Sequence, residues 1–292
     1  MTAPFQDPEE VVTRFGEAGH LLDEGTAMAL YLASTLPRPL LLEGEPGVGK
    51  TTSALTLATV LGTSLIRLQC YEGLTAREAL YEWNYQRQLL AIRLAESRHD
   101  RLEDADLFTA EFLIERPILR SVTATGPVPP VLLLDEIDRA DDVFEALLLE
   151  YLGEASVTIP ELGTFASARP PYVVLTSNRS RELHDALRRR CLYHWIEFPS
   201  PDRAVRIVRR RIPAAAEALV RSVTDFVGRA RELDLDKPPG LAETIDWVAA
   251  LSALGVSSLG RDNALRTLSA IAKSPDDVDA MTELFEPSEG TG

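Results

Sequence analysis

Over the first two hundred residues, short apolar runs alternate with amphipathic stretches, the pattern of a parallel sheet covered by helices. Five runs predict strands, at residues 40–43, 64–68, 131–135, 172–177 and 193–198. Three of them are almost wholly apolar, as strands buried on both faces must be. A helix is predicted over 50–61, closed by Gly62, and another after Asp141, which can cap it and which leaves Phe144, Leu147, Leu148 and Tyr151 on one face. Two segments interrupt the alternation. Residues 156–171 have alternating apolar positions around a proline and a glycine and predict a hairpin or extended loop; residues 80–108 are helical in composition and inserted between strands. After 198–202 the strand signals stop and helical ones continue to about Phe285, broken at 236–240. The expected division is a core at 1–199, with an insertion at about 70–115 and a hairpin at about 156–168, followed by a smaller helical domain at 200–292. The closing 286–292 has no core-forming residue and is expected to be mobile.

Composition narrows the function. The chain has 292 residues, 45% hydrophobic, and a formal net charge of -15, which disfavours nucleic acid or an anionic membrane as the general partner. Cys70 and Cys191 are too few for a disulfide framework or a thiolate zinc site, and His20, His99, His184 and His194 are scattered. Neither a basic, apolar leader nor a run long enough to span a bilayer is present, so the expected location is cytoplasmic.

The first strand runs into GEPGVGKTT, a full G-x-x-x-x-G-K-[ST] match with a strand before it and a helix after it. Gly44, Gly47 and Gly49 let the backbone curl so that its N–H groups face a phosphate chain, and the positive end of the next helix adds to them. The ATP-binding residues expected here are Gly44, Glu45, Pro46, Gly47, Val48, Gly49, Lys50, Thr51 and Thr52, with Lys50 reaching the terminal phosphates and the Thr51 hydroxyl on Mg2+. The third strand ends in two adjacent carboxylates that point to opposite sides. Asp135 is the expected metal partner, through water, and Glu136 the expected base that orients the attacking water. Asp138 and Asp141 read as caps and solvated loop charge. Asn178, at the end of the fourth strand, would emerge beside Asp135 and position water. Arg188, Arg189 and Arg190 form either a surface basic cluster or an arginine finger acting on a neighbouring subunit's nucleotide.

These residues resemble an AAA+ ATPase, and within that group the MoxR family. The carriers are GEPGVGKT, VLLLDEIDRA, the VTIPELGT segment before VVLTSN, and DALRRRCLYHW. The resemblance implies an α/β fold: a P-loop αβα sandwich with a five-stranded parallel sheet in the order 5-1-4-3-2 and a C-terminal all-α lid, usually assembled as a hexameric ring. By position, residues 44–51 match Walker A, Asp135 and Glu136 match Walker B, Asn178 matches sensor 1, and Arg190 is the best match to the finger, with Arg189 and Arg188 as fallbacks. The lid arginine of the family is missing: Ala242 stands near its place, so Arg261 or Arg266 substitutes, or the lid senses nucleotide differently. Residues 68–93 and 191–202 resemble the CoxD-like subgroup. That subgroup implies maturation of a molybdenum hydroxylase of the carbon monoxide dehydrogenase type, beside a partner with a von Willebrand A domain. Trp83 and Tyr85 are read first as packing and second as a client contact. The alternatives are a nucleic-acid-remodelling AAA+ ATPase, a MoxR-type chaperone for another metalloenzyme, and a regulatory module that binds ATP without turnover.

Overall fold

The computed structural model describes residues 3–36, 38–99, 101 and 103–285; the stretch 286–292, expected to be mobile, lies outside them. Five parallel strands form the central sheet: β1 (Leu40–Gly44), β2 (Leu65–Gln69), β3 (Val131–Asp135), β4 (Tyr172–Ser177) and β5 (Leu192–Ile196). Their spatial order is β2-β3-β4-β1-β5, the expected 5-1-4-3-2 read from the other edge. β1 and β3 are buried at every position, which is why they read as unbroken apolar runs. β5 lies earlier than the apolar pattern predicts: pairing begins at Leu192, whose N–H is donated to the Pro39 carbonyl at 2.8 Å, and ends at Ile196.

The helix Lys50–Leu61 flanks this sheet, as expected from its sequence. So does Asp142–Glu154, whose first turn is capped by the Asp141 carboxylate accepting the Phe144 N–H at 2.9 Å, and which buries Phe144, Leu148 and Tyr151. Residues 156–171 form a hairpin of Ser156–Ile159 against Gly163–Ala166, with Gly163 at φ +85 where the chain turns back.

The insertion after β2 differs from the helical expectation. Tyr81–Trp83 is a strand, paired antiparallel with Leu113–Glu115, and the helix begins only at Tyr85. Helical composition carries over from the neighbouring stretch, but this segment has a partner strand to satisfy its backbone, and pairing overrides local propensity. Trp83 is buried edge-on against Phe108 at 5.1 Å, whereas Tyr85 is exposed beneath Arg77. The first packs and only the second is free to meet a partner. Glu82 ties the foot of this ladder, accepting from both Arg77 and Arg116.

The chain divides into two compact units: one runs up to Glu43 and resumes over Lys50–Trp195, and the other joins Gly44–Gly49 to the chain from Ile196 onward. In the second, the helices Pro201–Arg211, Glu217–Ala230, Leu241–Ala253, Arg261–Thr267 and Pro275–Glu283 pack around Trp247 and Phe226, whose rings meet edge-on at 5.5 Å. Arg206, Arg209, Arg210 and Arg211 of Pro201–Arg211 are exposed around a buried stripe of Ala204, Val205 and Val208, as on a solvated helix face, whereas Arg203 is half-buried. No described helix is long and apolar enough to cross a membrane.

Both cysteines are buried and free. Burial, and after it the carboxylates of Asp135, Asp138 and Glu136, pushes the Cys70 thiol up to about 12. Burial likewise lifts Cys191 to about 12, with Arg38 acting in the opposite sense. The unfolded chain therefore loses these protons at lower pH than the folded one. The stability they carry is intact below the ordinary thiol range and is lost as pH rises toward about 12. In the native protein at pH 8, both thiols are expected to react with a thiol reagent at least roughly tenfold more slowly than after denaturation, a difference that absorbance of the released dye measures directly.

Candidate functional site

The glycine-rich loop bends where its glycines stand. Gly47 and Gly49 take φ of +79 and +103, and a β-carbon on Gly44 would lie 2.6 Å from the Ile196 carbonyl oxygen. Lys50 and Thr51 open the helix Lys50–Leu61 immediately afterwards, and Lys50 is buried there. Val48 is buried, whereas Glu45 and Pro46 are exposed and Thr52 is half-buried.

The acidic end of β3 gathers the hydroxyls around it. Thr51 Oγ1 donates to Asp135 Oδ1 at 2.9 Å, and Thr176 Oγ1 donates to the same oxygen at 2.5 Å. The other oxygen, Oδ2, accepts from Arg67 Nη2 at 2.5 Å, so a carboxylate that is nearly inaccessible to water is neutralised by one guanidinium and oriented by two hydroxyls. Parallel pairing brings these groups together: β3 lies between β2, which carries Arg67, and β4, which carries Thr176.

Glu136 turns away from Asp135 by adopting a left-handed backbone, φ 56, a conformation that costs a residue with a side chain roughly 1–3 kcal/mol. Its N–H donates to Thr176 Oγ1 at 2.9 Å, so one threonine accepts from the backbone of Glu136 while donating to Asp135. Its half-exposed carboxylate accepts from Gln69 Nε2 at 3.1 Å and from Arg139 Nη1 at 3.0 Å, both on Oε2. A carboxylate so placed is held ready at the surface of the sheet end and keeps Oε1 for another donor.

Asp138 corrects the reading of it as solvated charge. It is buried, and its Oδ2 accepts the Asn178 N–H at 3.2 Å, the Ser180 N–H at 2.8 Å and the Ser180 hydroxyl at 2.6 Å. Asp138 thereby pins the turn that carries Asn178 to the turn that carries Glu136. Another buried carboxylate, Glu43 at the end of β1, accepts from Ser177 Oγ at 3.2 Å and stands 3.9 Å from Arg179, itself left-handed at φ 57. Among the candidates, then, Thr51 and Asp135 touch directly, and Glu136 and Asn178 join them through Thr176 and Asp138. Arg67, Gln69, Thr176, Asp138 and Arg139 were not legible as site residues. Only the D-E-x-D-R spacing after β3 marks the last two, and it does not reveal what they hold.

The arginine triplet ends the short helix Asp185–Arg190. Arg188 lies over the Tyr193 ring at 5.6 Å, and Arg190 donates to the Leu149 carbonyl of its own chain. Arg189 projects outward, 83% exposed, 4.0 Å from Asp185. Among the described residues, no hydrogen bond or ion pair joins these side chains to the Thr51–Asp135 group. Three histidines make ordinary polar contacts, His20 with Ser53 at 3.1 Å, His194 with Thr26 at 3.0 Å and His184 with Asp142 at 3.2 Å, and no cluster of three or more His, Cys, Asp or Glu side chains fit for a metal occurs among the described residues.

A phosphate loop, a serviced aspartate and an adjacent glutamate at the end of β3 are the parts of a nucleoside triphosphatase. The model of the AAA domain, dynein-related subfamily, matches residues 39–191, more than half of the chain. The chain belongs to the AAA domain family. It is accordingly an ATPase of the AAA+ type that works with ATP and Mg2+. Among solved structures it is similar to domain III of the Thermotoga maritima replication initiation protein DnaA, with a TM-score of 0.51 at 14% identity over 88% of this chain and 96% of that one. It is also similar to the Thermotoga maritima RuvB Holliday junction branch migration motor, with a TM-score of 0.48 at 18% identity over 92% of this chain and 73% of that one. At such identity the DnaA likeness speaks to the fold, a parallel five-stranded α/β sheet with a helical region after it.

The donor set suits the metal of the family. A threonine hydroxyl and a carboxylate, both hard oxygen donors and in direct contact, are the modest protein share that Mg2+ takes beside phosphate oxygens and water.

Proposed function

We propose that this AAA family member is a MoxR-type ATPase of the CoxD-like kind, which uses Mg2+-ATP to remodel a client enzyme and complete its metal centre, the client being a molybdenum hydroxylase of the carbon monoxide dehydrogenase type. The observation that carries the catalytic part is the Thr51–Asp135–Thr176–Glu136 chain of hydrogen bonds. It supports Lys50 and the amides of residues 44–49 as the binders of the triphosphate, with Thr51 and Asp135 as the residues that would hold Mg2+, the latter through water. Bound Mg2+ would neutralise charge on the phosphate oxygens. Glu136, with Oε2 fixed by Gln69 and Arg139, takes the role of the base that orients water, and Asn178, fixed by Asp138, the role of its second partner.

The client-remodelling part draws on two additions to the sheet, the ladder-based insertion over Tyr81–Glu115 and the hairpin Ser156–Ala166, as the segments that would meet the client. A nucleic-acid remodeller is the competing class. The net charge of -15 opposes it, and Arg209 of the basic helix is already paired with Glu217 at 3.3 Å. We assign the active form to a homo-oligomeric ring, hexameric by resemblance, in which an arginine of the 188–190 triplet completes a neighbour's site and a von Willebrand A domain protein is the companion.

The test is steady-state hydrolysis with Mg2+ across protein concentration, for wild type, Arg189→Ala and Arg190→Ala. Specific activity should rise with concentration, and one of the two variants should lose on the order of a thousandfold in kcat with ATP binding kept. Flat specific activity, unchanged in both variants, would remove Arg189 and Arg190 as the ring-borne arginine. Stimulation by duplex or single-stranded DNA would favour the competing class.

A further inference from the structure

We infer that Arg231 is a positioning residue for nucleotide binding, neutralising and steering the phosphate loop through Glu45. The inference rests on reading residues 44–52 as the nucleotide-binding loop and adds a regulator from the helical unit, of which Gly44–Gly49 is a structural part.

Arg231 caps the C-terminal end of the helix Glu217–Ala230, and its side chain is only 14% exposed. One guanidinium meets three groups. Its Nη2 pairs with the Glu45 carboxylate, its Nη1 donates to the Pro239 carbonyl at 2.9 Å, and its plane lies over the Phe198 ring at 3.9 Å. A planar fork that can stack and donate at once is what arginine offers and lysine does not. Pro239 leads directly into a tight approach to the loop. A β-carbon on Gly240 would stand 2.9 Å from the Pro46 carbonyl oxygen and 2.7 Å from Glu243 Oε2, and one on Gly47 would stand 3.5 Å from that same carboxylate oxygen. Arg231 thus holds Glu45 with one nitrogen and, with another, the strand of chain that packs against Pro46 and Gly47.

The electrostatic consequence follows from where Glu45 sits. A loop whose task is to gather a polyanion carries a carboxylate between Gly44 and Pro46, and an uncompensated negative charge there repels the ligand. Arg231 cancels it.

The experiment compares wild type, Arg231→Ala, Arg231→Lys and Arg231→Ala/Glu45→Gln in the full-length chain, by ATP hydrolysis and by amide hydrogen exchange without nucleotide. Arg231→Ala should raise KM for ATP about tenfold with kcat changed less than about threefold, the signature of lost uniform binding, and Arg231→Lys should recover part of it. Removing the Glu45 charge as well, in the double variant, should bring KM back to within about threefold of wild type. A double variant no better than Arg231→Ala, or an unchanged KM in Arg231→Ala, overturns the inference. Exchange supplies an arm that needs no nucleotide: residues 44–49 and 239–243 should both exchange faster in Arg231→Ala, and unchanged exchange there also overturns it. Failure of the wild type to bind ATP would instead sink the nucleotide-loop reading, with exchange still deciding whether Arg231 holds the loop.

Discussion

Glu136→Gln is expected to lower kcat for ATP hydrolysis by roughly 100- to 10,000-fold, the span of a lost general base, while nucleotide affinity stays within about threefold of wild type. The substitution keeps the shape of the side chain, and its amide oxygen can still accept from Gln69 and Arg139, which hold one carboxylate oxygen now. The backbone N–H to Thr176 is untouched, so the left-handed turn at 136 survives. What is lost is the negative charge and basicity on the oxygen left for water. Single-turnover hydrolysis together with binding of a fluorescent ADP analogue measures both quantities. Parallel loss of binding and turnover would mean that Glu136 holds the site together, and turnover close to wild type would remove it as the base and revive a purely regulatory, ATP-holding module.

Lys50→Ala should act one step earlier, weakening ATP binding by on the order of 10- to 100-fold, as expected for losing one or more charge-assisted hydrogen bonds at about 1.5–3 kcal/mol each. The fold should tolerate it. Position 50 is the first of the helix Lys50–Leu61, alanine is the best helix former, and the apolar packing of Ala54, Leu57 and Ala58 lies further along the helix. Calorimetric titration with Mg2+-ATP, alongside thermal unfolding, separates the two outcomes. Undiminished affinity would detach the lysine from the phosphates and leave the loop as a structural turn.

Much of the core was legible because its constraints are local. A loop that curls around phosphate needs glycines at fixed offsets between a buried strand and a helix start, and GEPGVGKTT shows all three parts in one stretch. The strands of the sheet were legible for the same reason, since burial on both faces admits few polar residues. The misses are tertiary. Asp138 looks like one more surface acid until Asn178 and Ser180, some forty residues away, donate to it. Tyr81–Trp83 lies in helical surroundings, and its partner Leu113–Glu115 follows only after two α-helices and a 3-10 helix. Glu45 and Arg231 are 186 positions apart, and nothing in either neighbourhood announces the pair. The aspartate network was half legible: charge and spacing pointed to Asp135 and Glu136, but Thr176, which serves both, sits in a strand where a threonine is unremarked.

The ladder at the foot of the insertion bears on how such a protein diversifies. Tyr81 and Glu115 lie opposite one another across two short strands, and Glu82 fastens that base to Arg77 and Arg116. Entry and exit of the excursion are therefore clamped side by side. Everything between them can lengthen, shorten or change composition without disturbing the register of the parallel sheet behind it. An excursion fastened in this way can acquire a new surface while the sheet end that carries Asp135 and Glu136 is inherited unchanged.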